Sequence, residues 1–450
     1  MKVTLIGAGS REFAGKMVRD LLLSEPIAAK GLDIVLMDIA AEPLAEMEAY
    51  TRGLVERLGH AASVSATTDL DVAVAGADFV ITAIERNRYH YWSQDFTVPR
   101  KYGFAQVYGE NGGPGGLFHA LRQFGPLLEI ARAIERLAPD ALFLNFSNPE
   151  HKVCEAISRL TPVKVVGLCH GYFYGVRQIS AFLDMPADRL ELPAAGINHF
   201  TWFQAIRDKE TGEDLYPRLR ELESDANWVS DWHEIGLSRI LFRRFGLWPS
   251  PSANHIGEYI SWADDYVPAQ LQYFHDPADG SPWREGAETP EWFYEIRFAD
   301  TDRPFHAPSA GAMLDTSLDD DTSIEASEEL AIPIIEWVAC GVERDLPAVN
   351  IPNRGAIPGL PDDMVVEVPA KVDNGALVPL PMDELPTGIL AMVQLQGAIH
   401  KLLVEAYVEQ SKAKLLQAIL LDPIVDNHNR AVAMLDEFLT LQADALPPLR

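Results

Sequence analysis

A chain that runs Lys2-Val3-Thr4-Leu5-Ile6, turns at Gly7-Ala8-Gly9-Ser10 and enters a helical pattern with Met17, Leu21 and Leu22 on one face has few folds open to it. Strand, glycine turn and helix is the opening unit of a parallel sheet. A second strand, Ile34 to Met37, stops at Asp38, and a helix is expected from about Ala41 to Leu58. Phe79 to Ile84 and Ala141 to Asn145 read as further buried strands. Near-continuous apolar strands alternating with helices predict a parallel sheet covered on both faces. At 450 residues the chain is too long for one simple core. The expected fold class is therefore α/β, with a Rossmann-like N-terminal domain over residues 1–195 and a mixed α+β domain over residues 196–450.

Between the strands lies Gly109-Glu110-Asn111-Gly112-Gly113-Pro114-Gly115-Gly116, read as a glycine-rich loop that opens onto a helix with Leu121, Leu127 and Leu128. So many glycines let backbone approach a ligand and expose amides at a helix start. After His199 the pattern loosens into short helices and loops rich in Trp, Pro and Asp, as in Asp225 to Trp232 and Asp276 to Trp283. Ile324 to Val342 reads as a helix with Pro333 as a break or kink inside it. Met364 to Val368 reads as a strand, and Thr387 to about Val408 and Ser411 to Leu421 as helices.

The formal net charge of −29 argues against a nucleic-acid partner, which needs a basic surface. Three cysteines, Cys154, Cys169 and Cys340, are too few and too far apart for a disulfide framework. The N-terminus enters a strand with no signal-peptide core before it, and no apolar run approaches the ~18 residues of a membrane span. A soluble cytoplasmic protein with no membrane partner is the expectation.

Four constellations could carry chemistry. Gly7, Gly9 and Ser10 after a strand, with Asp38 closing the next, match the arrangement that sets a pyrophosphate on a helix N-terminus and an acid on a ribose hydroxyl. Glu12 stands where the fingerprint's third glycine would be. The acid at 38 favours NAD over its 2′-phosphorylated form; the bland alternative is a glycine turn and a helix-capping Asp. Cys169 and His199 both end short apolar runs and could share a catalytic metal, whose shell substrate and water complete; otherwise they are core residues. Asn148, held extended by Pro149, could bind a sugar hydroxyl or make a common Asn-Pro turn. Asn254 to Tyr259, read as loop-like, offers base candidates or mere surface residues.

Taken together, Gly7 to Ser10, Met37-Asp38-Ile39, Gly109 to Gly116 with Ala120-Leu121-Arg122, Asn145 to Pro149, Gly167 to His170, Gly196 to His199, Asn353-Arg354-Gly355 and Val366-Glu367-Val368 resemble glycoside hydrolase family 4. These are NAD- and divalent-metal-dependent glycosidases, related in fold to lactate and malate dehydrogenases, that dispense with the carboxylate pair of most glycosidases. The resemblance implies that Cys169 and His199 ligate a Mn²⁺-like ion and that Glu110 and Asn148 touch sugar hydroxyls. It further implies transient oxidation at C3, deprotonation at C2, elimination at C1 and addition of water. His170 would be the leaving-group acid, and Tyr259 or His255 the C2 base. Homo-oligomers, dimeric or tetrameric, are common in the family.

The Cys-His-Gly-Tyr run at 169–172 resembles the branch that cleaves α-uronides, with α-glucuronidase, α-galacturonidase and α-galactosidase members. Arg86 and Arg88 follow a strand and could clamp a substrate carboxylate or sulfonate, or lie in a solvated loop. The expected substrate is thus a small α-glycoside of an anionic hexose. The alternatives are an α-galactosidase or sulfoquinovosidase of the same mechanism, a plain NAD-dependent hydroxy-acid dehydrogenase, or a non-catalytic sensor of sugar or NAD.

Overall fold

The computed structural model describes residues 1–10, 13–225, 235–267, 294–298, 301–307 and 324–450. Glu12, the loop from Asp225 to Trp232 beyond Asp225 itself, and the loop from Asp276 to Trp283 lie outside the described residues.

Six parallel strands carry the first half: β1 (Lys2–Ile6), β2 (Asp33–Met37), β3 (Ser63–Thr67), β4 (Phe79–Thr82), β5 (Leu142–Asn145) and β6 (Lys164–Gly167). They lie in the order β3-β2-β1-β4-β5-β6, the order of the dinucleotide-binding fold, whose crevice opens between the first and fourth strands. Side chains alternate along β2, so Ile34 and Leu36 enter one core cluster while Val35 and Met37 enter the other. Helices therefore cover both faces, as the apolar strands require. The helix Ala14–Leu23 buries Met17, Val18, Leu21 and Leu22, and the helix Ala41–Leu58 ends on Gly59 in the left-handed region.

The second half adds β7 (Leu190–Glu191), β8 (Ala194–Ile197), β9 (Phe200–Phe203), β10 (Arg207–Asp208), β11 (Trp248–Ser250), β12 (Tyr294–Phe298), β13 (Thr301–Ala307), β14 (Leu346–Pro352), β15 (Val365–Asp373) and β16 (Ala376–Pro379). The sheet does not stop at β6. It continues antiparallel through β14, β15, β8, β9 and β11, with β16 on β15, into one mixed sheet of 12 strands. The wholly parallel sheet expected from the first half is thus only its parallel portion. The pairs β7–β10 and β12–β13 form separate ribbons.

Three local readings change. The helix expected from Ile324 to Val342 runs only over Ala331–Cys340. Pro333 sits in its first turn, where a missing N–H costs no hydrogen bond, so it starts the helix instead of kinking it. Half of the glycine-rich loop is helix: Gly113 to Gly116 form the first turn of Gly113–Leu137. Residues 254–259 are not a surface loop, because Ala253–Gly257 is a short helix and Asn254, Glu258 and Tyr259 are buried.

The helix Thr387–Glu409 is long and apolar enough to cross a membrane by length and composition, although no uninterrupted apolar run of that length exists. Ile389, Val393, Ile399, Leu403 and Val404 on it face the protein core.

Candidate active site at the carboxyl ends of the strands

At the end of β1 the chain turns with Gly7 at φ +85°, and Gly7 and Ala8 both donate N–H bonds of 3.0 Å to the Met37 carbonyl. A Cβ on Gly7 would overlap the Ala83 carbonyl after β4. The Gly9 N–H donates to Asp38 Oδ2 at 2.8 Å, and Asp38 Oδ1 accepts the Ala40 N–H at 2.9 Å. Asp38 thus fastens the glycine turn as well as the entry to the next helix, and the Ser10 carbonyl accepts the Ala14 N–H at 3.1 Å. Glycine clearance, helix start and strand-end acid meet where the strand order reverses, which fits a dinucleotide.

Cys169 follows β6, and His199 is the second residue of the two-residue turn between β8 and β9, at φ +63°. The turn carries the imidazole to the end of β6, from which β8 is separated in the sheet by β15 and β14, and Nε2 lies 3.3 Å from Cys169 Sγ. His199 Nδ1 is buried and has no hydrogen-bond partner. Burial, then the neighbouring His255 and Lys152, hold the His199 imidazole well below its usual range, so it is a neutral donor. Burial and the nearby Glu367 push the Cys169 thiol up, so a bound cation would be needed to ionise it.

Glu110, His199 and His255 each bring a ligand atom to within 4.8 Å of the others; Cys169 touches His199 but stands outside that trio. His255 packs edge-on to His199 with ring centroids 4.4 Å apart, and its Nδ1 lies 2.8 Å from Ser252 Oγ and from Asn254 Oδ1. Burial lowers its pKa to about 4, overriding the opposing pull of Glu110. The Cys169 thiol, the neutral His199 imidazole with its orphaned Nδ1 and the Glu110 carboxylate suit a divalent first-row ion, with the His255 imidazole standing beside them. Sequence reading assigned Cys169 and His199 to such an ion and left His255 as a base; the structure sets His255 against His199.

The other predicted residues divide. His170 Nε2 pairs with Glu329 Oε1 next to Cys169. Asn148 is half-buried at the end of β5, before a cis Pro149. Tyr259 is 3% exposed and donates to the Asn198 carbonyl at 3.4 Å. Burial, then Glu258 and Glu110, hold its phenol well above the usual range, which keeps it protonated. The two arginines do not converge. Arg88 pairs with Glu110 at 2.7 Å, whereas exposed Arg86 reaches away to the Asp444 carbonyl at 3.2 Å. Glu85, held by Gln123 at 2.8 Å and His119 at 3.0 Å, adds a second carboxylate near Arg88.

Three residues to which sequence reading gave no such role support this site, Glu258 among them although it lies in the run Asn254 to Tyr259 read as offering bases. The Glu258 carboxylate accepts the backbone N–H groups of Glu110 at 2.5 Å, Asn111 at 2.8 Å and Gly112 at 3.0 Å. Lys152, fully buried, donates to the Asn111 carbonyl, and burial lowers its pKa to about 8 against the pull of Glu258. Together they grip the segment that carries Glu110 from both its donors and its acceptor. Glu329 is the third. Glu258 lies inside the run Asn254 to Tyr259 and Lys152 close to Asn148, but no local pattern gives either this role; Glu329 has no sequence signal at all.

The family model described as "Family 4 glycosyl hydrolase" matches residues 2–185, and "Family 4 glycosyl hydrolase C-terminal domain" matches residues 194–425. An α-glucosidase of Erwinia rhapontici is 32% identical over 469 residues, with 96% of this chain and 95% of the relative covered. An α-galactosidase of Bacillus subtilis is 29% identical, covering 99% of each. Among solved structures, a 6-phospho-α-glucosidase from gut microorganisms, in complex with NAD and Mn²⁺, superposes with a TM-score of 0.80 at 22% identity, covering 100% of this chain and 99% of that one. Two family models in chain order and relatives matched nearly end to end leave one conclusion: the chain belongs to the family 4 glycosyl hydrolases and is an O-glycosyl hydrolase.

Proposed function

We propose that the chain cleaves small α-hexosides with the help of NAD⁺ and a Mn²⁺-like ion, by transient oxidation at sugar C3, loss of the C2 proton, departure of the C1 substituent and addition of water. The observation that carries this is the meeting, at one end of one sheet, of the Gly7–Gly9 turn with the Cys169–His199 pair. Gly7, Gly9, Ser10 and Asp38 would hold the dinucleotide, and Cys169 and His199, with Glu110 alongside, the ion. When bound, these groups supply a hydride acceptor and a Lewis acid.

The chain's own residues then bind, orient and move protons. Asn148 and Glu110 receive sugar hydroxyls. His170 donates a proton to the departing C1 oxygen. Of the two candidates for taking the C2 proton, His255 has the stronger support: it is neutral and beside the ligands, whereas the Tyr259 phenol is buried, protonated and engaged with Asn198. Residues 1–195 would supply the dinucleotide site and residues 196–450 would add His199 and His255. A cytoplasmic setting, where NAD⁺ is at hand, belongs to the same reading.

For the glycone we favour an uncharged hexose over the uronide expected from sequence. Arg88 is already matched by Glu110, Arg86 points elsewhere, and Glu85 brings a further negative charge. A panel of nitrophenyl α-glucosides, α-galactosides, α-galacturonides, α-glucuronides and sulfoquinovosides, assayed with NAD⁺, Mn²⁺ and reductant, decides both points. Turnover requiring both cofactors, with neutral sugars preferred, is the expected result; net NADH accumulation would instead mark a dehydrogenase. Product formed in D₂O should carry deuterium at C2, and complete retention of protium there would sink the mechanism.

A further inference from the structure

His170 is half-buried, 26% exposed at its side chain, at the start of the helix Gly171–Leu183, and its Nε2 is in contact with Glu329 Oε1. Glu329 is 4% exposed. A carboxylate so far out of water needs a partner; Glu329 Oε1 makes no hydrogen bond where it stands, and the His170 ring nitrogen in contact with it is the donor within reach.

The segment that presents Glu329 is fastened on both sides. Ser327 donates its backbone N–H to Asp20 Oδ1 at 2.8 Å and its hydroxyl to the other Asp20 oxygen. The Glu329 N–H donates to Ser327 Oγ at 3.2 Å, and Glu328 pairs with Arg177 at 2.9 Å. Asp20 lies on the helix that follows the glycine turn, and Arg177 on the helix that begins beside His170. Residues 327–329 therefore form a strap between the helix of the dinucleotide turn and the helix of the metal cysteine, with the Glu329 carboxylate delivered to the imidazole.

We propose that Glu329 is a positioning residue for His170. By a turn of the ring it accepts the Nε2–H of the doubly protonated imidazole, which fixes the ring plane and leaves the Nδ1–H as the proton handed to the departing oxygen. Glu329 keeps its own charge throughout. As the C1–O bond breaks, its electron pair stays on oxygen and the proton comes from the imidazole. This inference rests on the reading of His170 as the proton donor.

Leaving-group dependence separates positioning from mere support of the fold. A 4-nitrophenyl glycoside departs with little protonation, whereas a methyl glycoside of the same sugar needs it. With the NAD⁺- and Mn²⁺-loaded enzyme, Glu329→Gln should lower kcat for the methyl glycoside about 10- to 100-fold more than for the 4-nitrophenyl glycoside, with little change in either KM. Equal losses on both substrates, or no loss on either, overturn the proposal. The same contrast in His170→Asn tests the underlying reading. If His170→Asn shows it and Glu329→Gln does not, Glu329 alone is excluded; if His170→Asn shows none, His170 is not the donor and both ideas fall. Should Glu329→Gln not fold, Glu329→Asp keeps the charge but withdraws it by one methylene, and is expected to show the same substrate contrast at smaller size.

Discussion

Position 7 tolerates no side chain. Its backbone is in the left-handed region and a Cβ would run into the Ala83 carbonyl, so Gly7→Ala should abolish the dinucleotide site even if the sheet survives. A thermal-shift titration reads this directly: at about 100 times its dissociation constant NAD⁺ stabilises the wild type by roughly 2.7 kcal/mol, and the variant should show no shift. Cys169→Ser should behave in the opposite way. On the proposed reading, in which Cys169 is a metal ligand, activity should fall by about 100-fold or more, while the NAD⁺ shift stays, the glycine turn being untouched. Loss of both together would make Cys169 structural. Gly7, Gly9, Asp38, Cys169 and His199 stand out in the sequence because each comes just after a strand whose pattern is local. The clamp made by Glu258 could not: its bond to the Glu110 amide joins residues 148 positions apart, and nothing in either flagged run says that the two meet.

Among the elements, the glycine segment ahead of the helix Gly113–Leu137 has the most to hold it. Glu258 and Lys152 grip residues 110–112, and buried Asp422 from the C-terminal half accepts the Gly113 N–H and faces Lys152. Burial raises Asp422 to about 7, well above its value in an unfolded chain. Between those two values the folded state holds the extra proton, so the Asp422 contribution to stability is present below about pH 4 and is lost as pH rises through about 7. Asp422→Asn keeps the acceptor and removes the titration. Denaturant unfolding at pH 5 and pH 8.5 should show the Asn variant gaining on the wild type, by up to about 2.7 kcal/mol between the two conditions. A pH-independent difference would mean that Asp422 is solvated. The sequence exposed the glycines of this segment but misjudged their state, because four of the residues read as loop are the first turn of a helix that tertiary contacts complete.

Across the whole molecule, the parallel half of the sheet was legible because strand and helix alternate within short stretches of chain. Its antiparallel continuation was not, since it is made by register pairs such as Asn350 with Gly167 and Glu367 with Gly196, between segments with no neighbouring signal. Both core clusters draw on both halves: Ile351, Val366 and Val368 join one, and Val365, Ile399 and Leu403 the other. A fragment of residues 1–195 would expose the β6 edge and strip apolar cover from two faces, so it should show no cooperative thermal transition by circular dichroism. A soluble fragment with a sharp transition and NAD⁺ binding would contradict this. The seam at β6 and β14 also bears on how such a chain can be rebuilt. A hybrid that takes its dinucleotide half from one relative and its sugar half from another must match two strand edges and two buried surfaces at once. Exchange of specificity is therefore easier by grafting the turns at the strand ends than by swapping halves.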